Sequence, residues 1–182
     1  SQSGETADSL AALRLAKQMG LSTLAIVNVA GSSIAREAEH VLYTFAGPEI
    51  SVASTKAYSV QISLLYLIAF TLGQERGLLS EEQVRGLTAQ LFASAEAVRG
   101  VLRLQERIEM SAKSLAGAEH LFFLGRGLDY ALACEGSLKL KEISYIHCEA
   151  YAAGELKHGT ISLITEGVPV IALCTQTALL PK

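Results

Sequence analysis

The most reactive grouping in the chain is a lysine set between two carboxylates. Glu135, Lys139 and Glu142 lie four and three residues apart within Leu128 to Ile146, a segment whose pattern predicts a helix, so the three share one face. Two arrangements fit. On an exposed face they form a ladder of ion pairs, each worth about 0.3–0.5 kcal/mol. In a pocket, an amine of lowered pKa attacks a carbonyl to give a Schiff base, and a carboxylate one turn away carries a proton between adjacent carbons.

A second grouping is the opening SQSGET, where Ser1, Gln2, Ser3 and Thr6 surround Gly4 just before a helical pattern. A helix start offers unpaired N–H groups and about half a positive charge, so hydroxyls gathered there can cradle a phosphate without lysine or arginine. An ordinary N-cap uses the same residue types. No GKS or GKT follows, which excludes a Walker A loop. The Gly125-Arg126-Gly127 turn fails as a dinucleotide fingerprint because Tyr130 stands where the third glycine is required. His158, in AAGELKHG beside Glu155 and Lys157, suits either a helix C-terminus or proton transfer. No two histidines stand four residues apart with a third ligand, so no metal site is expected from spacing.

These groups must be held by elements that the pattern also shows. Leu10, Leu13 and Ala16 recur at helical spacing from Ala7 to Met19, and Gly20 follows as a stop. STLAIVN, at 22–28, reads as a short strand buried on both faces. A helical piece at 34–39 precedes a second strand candidate at His40 to Ala46, ended by Gly47-Pro48. Val52 to Arg76 reads as a largely buried helix. Between Ser80 and Lys113 charges alternate with leucines, predicting a helical connector with Ser80 and Gln83 as a capping box. The pattern then restarts with a strand at His120 to Leu124, the helix from Leu128, a stretch of small and polar residues, and a strand at Pro169 to Cys174.

The expected class is therefore α/β, with parallel sheets flanked by helices in two lobes. The expected division is 1–79 as the later part of a first lobe, 80–116 as the connector and 117–182 as the early part of a second. Both lobes read as incomplete, since the first opens on a loop with no strand before it and the second stops just after one.

Composition narrows the function further. The 182 residues are 50% apolar, with 18 acidic and 15 basic side chains and a formal net charge of −3. That balance offers neither a nucleic-acid footprint nor a polybasic membrane patch. The most apolar window, Ile62 to Leu72, is shorter than the roughly 20 residues of a membrane span, so a buried helix is expected there. Cys134, Cys148 and Cys174 are widely spaced with no CxxC, which points to a reducing, cytoplasmic setting.

SQSGET at 1–6, ISVASTKAY at 50–58, LGRG at 124–127 and EGSLKLKEISYIHCEAYAAGELKHG at 135–159 together resemble the isomerase half of the glutamine:fructose-6-phosphate aminotransferases, which is built of two sugar isomerase (SIS) lobes. The resemblance covers nearly the whole chain. It implies that Ser1, Gln2, Ser3 and Thr6 hold the sugar phosphate and that Ser54 and the Val52 backbone touch the sugar. It further implies that Lys139 forms the Schiff base, that Glu142 moves a proton between C1 and C2, and that His158 opens the ring from the neighbouring subunit of a homodimer. The substrate and product would be fructose 6-phosphate and glucosamine 6-phosphate, with no cofactor and no metal. Ammonia would come from an N-terminal glutaminase domain outside these residues. Where the family usually has Gly-Pro after the histidine, this chain has Gly159-Thr160, expected to loosen the turn that aims His158. A fructosamine-phosphate deglycase or a non-catalytic sugar-phosphate-binding SIS module would share the phosphate cradle. An imine-forming lysine argues against the latter.

Overall fold

The computed structural model describes residues 1–179. Among them the order is α1 (Ala7–Gln18), β1 (Leu24–Val27), α2 (Ser33–Glu37), β2 (His40–Tyr43), α3 (Lys56–Glu75), α4 (Glu81–Leu102), α5 (Gln105–Leu115), β3 (His120–Gly125), α6 (Leu128–Ser144), β4 (His147–Ala152) and β5 (Val170–Ala172). Short 3₁₀ turns follow β4 and β5. Every strand pair is parallel: β1 with β2, and β3 with β4 on one side and β5 on the other. The α/β architecture expected from the pattern is the one that forms. The chain divides into two units, Ser1–Val98 and the residues from Arg99 onward, at a point inside α4.

In the first unit, Ala25 and Val27 project from β1 into a small core with Ile34, packed by Leu10 and Leu13 of α1 and by Val41 and Tyr43 of β2. The expectation that this strand is buried on both faces is corrected, because Leu24, on the alternate face, is half exposed. With period two, only the face toward α1 and α2 is covered. The expectation for α3 is corrected in the same way: of its residues only Ala57 is fully buried, and Leu65, Tyr66 and Leu72 are about half exposed. A 20-residue helix is about 30 Å long, whereas four-residue strands span about 13 Å, so most of α3 extends beyond what the two-stranded sheet can cover. The capping box at the start of α4 is present, with Ser80 N donating to Gln83 Oε1 at 2.8 Å and Gln83 N donating to Ser80 Oγ at 3.2 Å. The connector breaks into two helices at Arg103 and Leu104.

The second unit is organised by α6. Asp129, Ala133 and Ser137 recur every four residues on its buried face, and Ala133 joins Leu121, Phe123 and Cys148 in the core. Ser137 Oγ donates to Cys148 O at 3.0 Å, tying α6 to β4. Small residues on this face let the helix lie close to the sheet. Gly125, at the end of β3, shows how close: a Cβ there would stand 2.4 Å from the carbonyl of Asp129 and 2.5 Å from Tyr130 N. The buried Asp129 carboxylate accepts hydrogen bonds from Thr175 N at 2.9 Å, Gln176 N at 3.4 Å and the Thr175 hydroxyl, so it clasps the segment after β5 to the first turn of α6. Helix α6 ends at Ser144, two residues before the expected boundary, because Tyr145 adopts the left-handed conformation with φ of 61°. Strand β4 was not expected. Its HCEAYA sequence mixes charge and alanine, and pairing along six registered positions of β3 overrides weak local propensity.

Two outcomes follow for stability. Gly125→Ala should cost about 1–3 kcal/mol in urea unfolding through overpacking, whereas Gly86→Ala, inside α4 with open space around its Cβ, should add about 0.5–1 kcal/mol. Hydrogen bonds from Thr175 hold the Asp129 carboxyl below the usual carboxylate range. A depressed folded value contributes stability above the unfolded carboxylate pKa that is lost as pH falls through the folded one. Acid unfolding monitored from pH 6 to 2 should therefore lose part of its pH dependence in Asp129→Asn.

Candidate active site

The hydroxyl-rich loop belongs to the first unit. Ser1 N donates to Ile26 O at 3.1 Å and Asn28 N donates to Gln2 O at 3.1 Å, which stitches the loop along β1 to its carboxyl end. Asn28 then reaches the other way: its Oδ1 accepts from Thr44 Oγ1 and Ala46 N, and its Nδ2 donates to Gly47 O. Gln2 lines an open hollow with Asn28, Phe45 and Glu49. The Ser1 and Thr6 hydroxyls are 2.8 Å apart, and Gly4 N donates to Ser1 Oγ at 3.1 Å. Ser3 Oγ accepts from Glu5 N at 3.2 Å.

The N-cap alternative is therefore not realised in its ordinary form. Thr6 stands at the cap position of α1, yet its side chain makes no capping hydrogen bond. The first intrahelical bond of α1 runs from Leu10 N to Thr6 O, so the amides of Ala7, Asp8 and Ser9 lack intrahelical acceptors. Hydroxyls and free amides together make an uncharged donor array suited to a phosphate oxygen.

Gly4 is required in this loop. Its φ is 68°, and a Cβ would come within 2.0 Å of Ser32 Oγ. Ser32 itself is buried, and its hydroxyl has no hydrogen-bond partner. Glu5 Oε1 accepts from Ser33 N at 2.8 Å; these bonds at Ser33 hold the Glu5 carboxyl below its ordinary range. Ser32, Glu5 and Asn28 were not selected from the sequence. Their contribution lies in contacts 16 to 28 residues away along the chain, which no local spacing encodes.

The loop carrying Val52 and Ser54 precedes α3. Val52 is almost fully exposed and Ser54 is half-buried, while Ala53 between them is buried. Glu49 Oε2 accepts from Ala57 N at 3.1 Å, so a carboxylate from the same loop caps α3 in place of Thr55.

The second unit holds the amine and its carboxylates. Lys139 Nζ donates to Glu142 Oε2 at 2.7 Å and lies 3.6 Å from Glu135 Oε1, with side chains only 22–33% exposed. The helical spacing thus brings all three together, on a different face from the buried Asp129–Ala133–Ser137 stripe. The lowered amine pKa that carbonyl attack would favour is not found. The hydrogen bond that Lys139 donates to Glu142 holds the amine above its ordinary value, with partial burial opposing and Glu135 adding to the effect. The pair therefore favours the charged amine, hydrogen-bonded to Glu142. His158 sits apart in sequence on the 3₁₀ turn Leu156–His158, exposed, with its backbone N–H bonded to Glu155 O. Just after it, the Thr160 hydroxyl donates to Leu156 O at 3.3 Å.

Both units are parallel α/β with flanking helices, and sequence comparison assigns them to one domain class. The SIS domain profile matches residues 1–70 and 114–178. The chain belongs to the SIS domain family. It is 56% identical over all 182 residues to the glutamine–fructose-6-phosphate aminotransferase (isomerizing) of Symbiobacterium thermophilum and 55% identical to that of Clostridium tetani. The chain spans about 30% of the length of each. Among solved structures, the C-terminal domain of glucosamine-fructose-6-phosphate aminotransferase from Francisella tularensis superposes with a TM-score of 0.91 at 43% identity, covering 94% of this chain and 48% of that one.

The raised amine gives a direct check on the pair. In Glu142→Gln, Lys139 should lose its main stabilising partner, and its onset of acetylation, followed by mass spectrometry against pH, should move to lower pH. At pH 8 the labelling rate should rise several-fold; an unchanged profile would show that Glu142 does not hold the proton in place.

Proposed function

We propose that this chain is part of the isomerase portion of a glutamine:fructose-6-phosphate aminotransferase, the enzyme that makes glucosamine 6-phosphate. The observation that carries the reading is the 2.7 Å contact between Lys139 Nζ and Glu142 Oε2, within a chain more than half identical to proteins named for that activity. In this reading the amine, after handing its proton to a neighbouring carboxylate, adds to the C2 carbonyl of open-chain fructose 6-phosphate, and water leaves to give an imine. Ammonia then displaces the lysine. Glu142 takes a proton from C1 and returns one to C2, converting the ketose imine to the aldose amine.

Ser1, Gln2, Ser3 and Thr6 hold the phosphate at the remote end, and Ser54 with the Val52 backbone touches the sugar. Binding at that remote end restricts the reacting carbons of the sugar, a positioning effect worth several kcal/mol. His158 assists ring opening from the second subunit of a homodimer, and a glutaminase domain elsewhere in the full-length protein supplies ammonia. No metal or redox cofactor is needed for a proton shift along an imine. The setting is cytoplasmic. Although α3 has the length and mean hydropathy of a membrane span, we read it as a domain helix, supported by the SIS profile running through residue 70 and by Ser59, Gln61 and Ser63 along it.

The test uses protein completed to the length of its relatives. Borohydride should trap a covalent adduct of fructose 6-phosphate in the parent and in Glu142→Gln, but not in Lys139→Arg. Glu142→Gln should also reduce solvent exchange at C1 by at least a hundredfold, in line with loss of a general base. Trapping in Lys139→Arg would overturn the assignment of the amine.

A further inference from the structure

At the amino-terminal edge of the second unit's sheet, two imidazoles that the proposed reaction does not use stand side by side. His120 opens β3, His147 opens β4, and the parallel register pairs them directly. Their Nδ1 atoms are 3.3 Å apart, and the rings meet nearly at right angles, 85° between planes. Both residues are exposed. We propose that His120 and His147 form a chelating site for a late first-row divalent cation, of the Zn²⁺, Ni²⁺ or Cu²⁺ type, bound through Nδ1 of each ring.

The geometry fits such an ion closely. Two metal–nitrogen bonds of about 2.05 Å at a tetrahedral angle put the nitrogens about 3.3 Å apart. Without an ion the two Nδ1 atoms lie within hydrogen-bond distance of each other, with the tautomer setting which one donates. A ring that carries its hydrogen on Nδ1 moves it to Nε2 on binding, so that both Nδ1 lone pairs face the ion and each ring stays neutral. The other ring nitrogen of His147, Nε2, lies 3.9 Å from Glu149 Oε1, beyond direct hydrogen-bond distance but near enough for the carboxylate to attract the N–H of a metal-bound ring. A ligating histidine commonly directs its free N–H at a carboxylate, which fixes the ring and makes it a better donor. The Tyr151 hydroxyl bonds Glu149 through its other oxygen, and His147 N donates to Glu119 O, so both the carboxylate and the backbone beneath the ring are anchored. Among the described residues no cluster of three or more histidine, cysteine, aspartate or glutamate side chains suits a metal ion. The protein therefore gives two nitrogens and water completes the shell, which makes the site weaker than a four-ligand structural one and selects imidazole-preferring ions over Mg²⁺.

The test is a calorimetric titration of the 182-residue chain with Ni²⁺, which favours imidazole and so limits competition from the exposed Cys134 and Cys174. One equivalent should bind, and affinity should fall at least tenfold in His120→Gln and in His147→Gln, several-fold in Glu149→Gln and not at all in His40→Gln. Mg²⁺ should give no heat of binding. In the unaltered chain, ¹⁵N spectra of the imidazoles should show Zn²⁺ shifting Nδ1 of both His120 and His147, a readout that does not depend on any variant folding. Absence of Ni²⁺ binding, its retention in either glutamine variant, or Zn²⁺ shifts confined to His40 or His158 would overturn the proposal.

Discussion

The close approach of α6 to β3 is the constraint on which the second unit depends. It is made by absences of side-chain bulk: Gly125 where the strand ends, then Ala133 and Ser137 on the helix face that meets the sheet. Because the helix lies so near, Asp129 reaches the segment after β5 and Ser137 reaches β4, so one helix fixes both neighbours of the central strand. The same placement fixes the helical phase. With the buried stripe committed to the sheet, residues 135, 139 and 142 are rotated away from it onto a separate, partly exposed face.

That face joins two chemistries that pull against each other. A nucleophilic amine needs to be neutral, whereas a neighbouring carboxylate stabilises its charged form, and here the carboxylate prevails. In the proposed reaction the group that keeps the lysine charged would also be its nearest proton acceptor. The loop at Ser1 to Thr6 uses no formal charge at all. It gathers hydroxyls and unpaired amides, and Thr6 spends its side chain on Ser1 rather than on capping α1.

Much of this was legible from the letters, and the parts that were not share a cause. The helices starting at Ala7 and Leu128, the strand opening at His120 and the Ser80–Gln83 box are encoded locally, by periodicity, punctuation and capping chemistry, and they form where expected. The grouping of Lys139 with both carboxylates follows from the 3.6-residue turn alone. Strand β4, by contrast, owes its form to the ladder with β3, and the exposure of α3 reflects how little sheet lies beside it, neither of which a window of sequence contains. The unpartnered Ser32 hydroxyl, the Asn28 bridge and the Asp129 clasp depend on groups brought together across long stretches of chain. The sign of the shift at Lys139 was also out of reach, since it turns on a hydrogen-bond length.

The tight seat of Gly4 against Ser32 bears on how the first loop would meet an anion. With Gly4 pressed on a buried side chain, Glu5 bonded to the start of α2 and Gln2 bonded to β1, the loop is a mould already cast when the unit folds. A guest arriving there would face little loss of chain freedom, so more of each contact would appear as affinity. The same rigidity leaves the mould little room to adapt, and guests of another size or shape would be refused by fit alone.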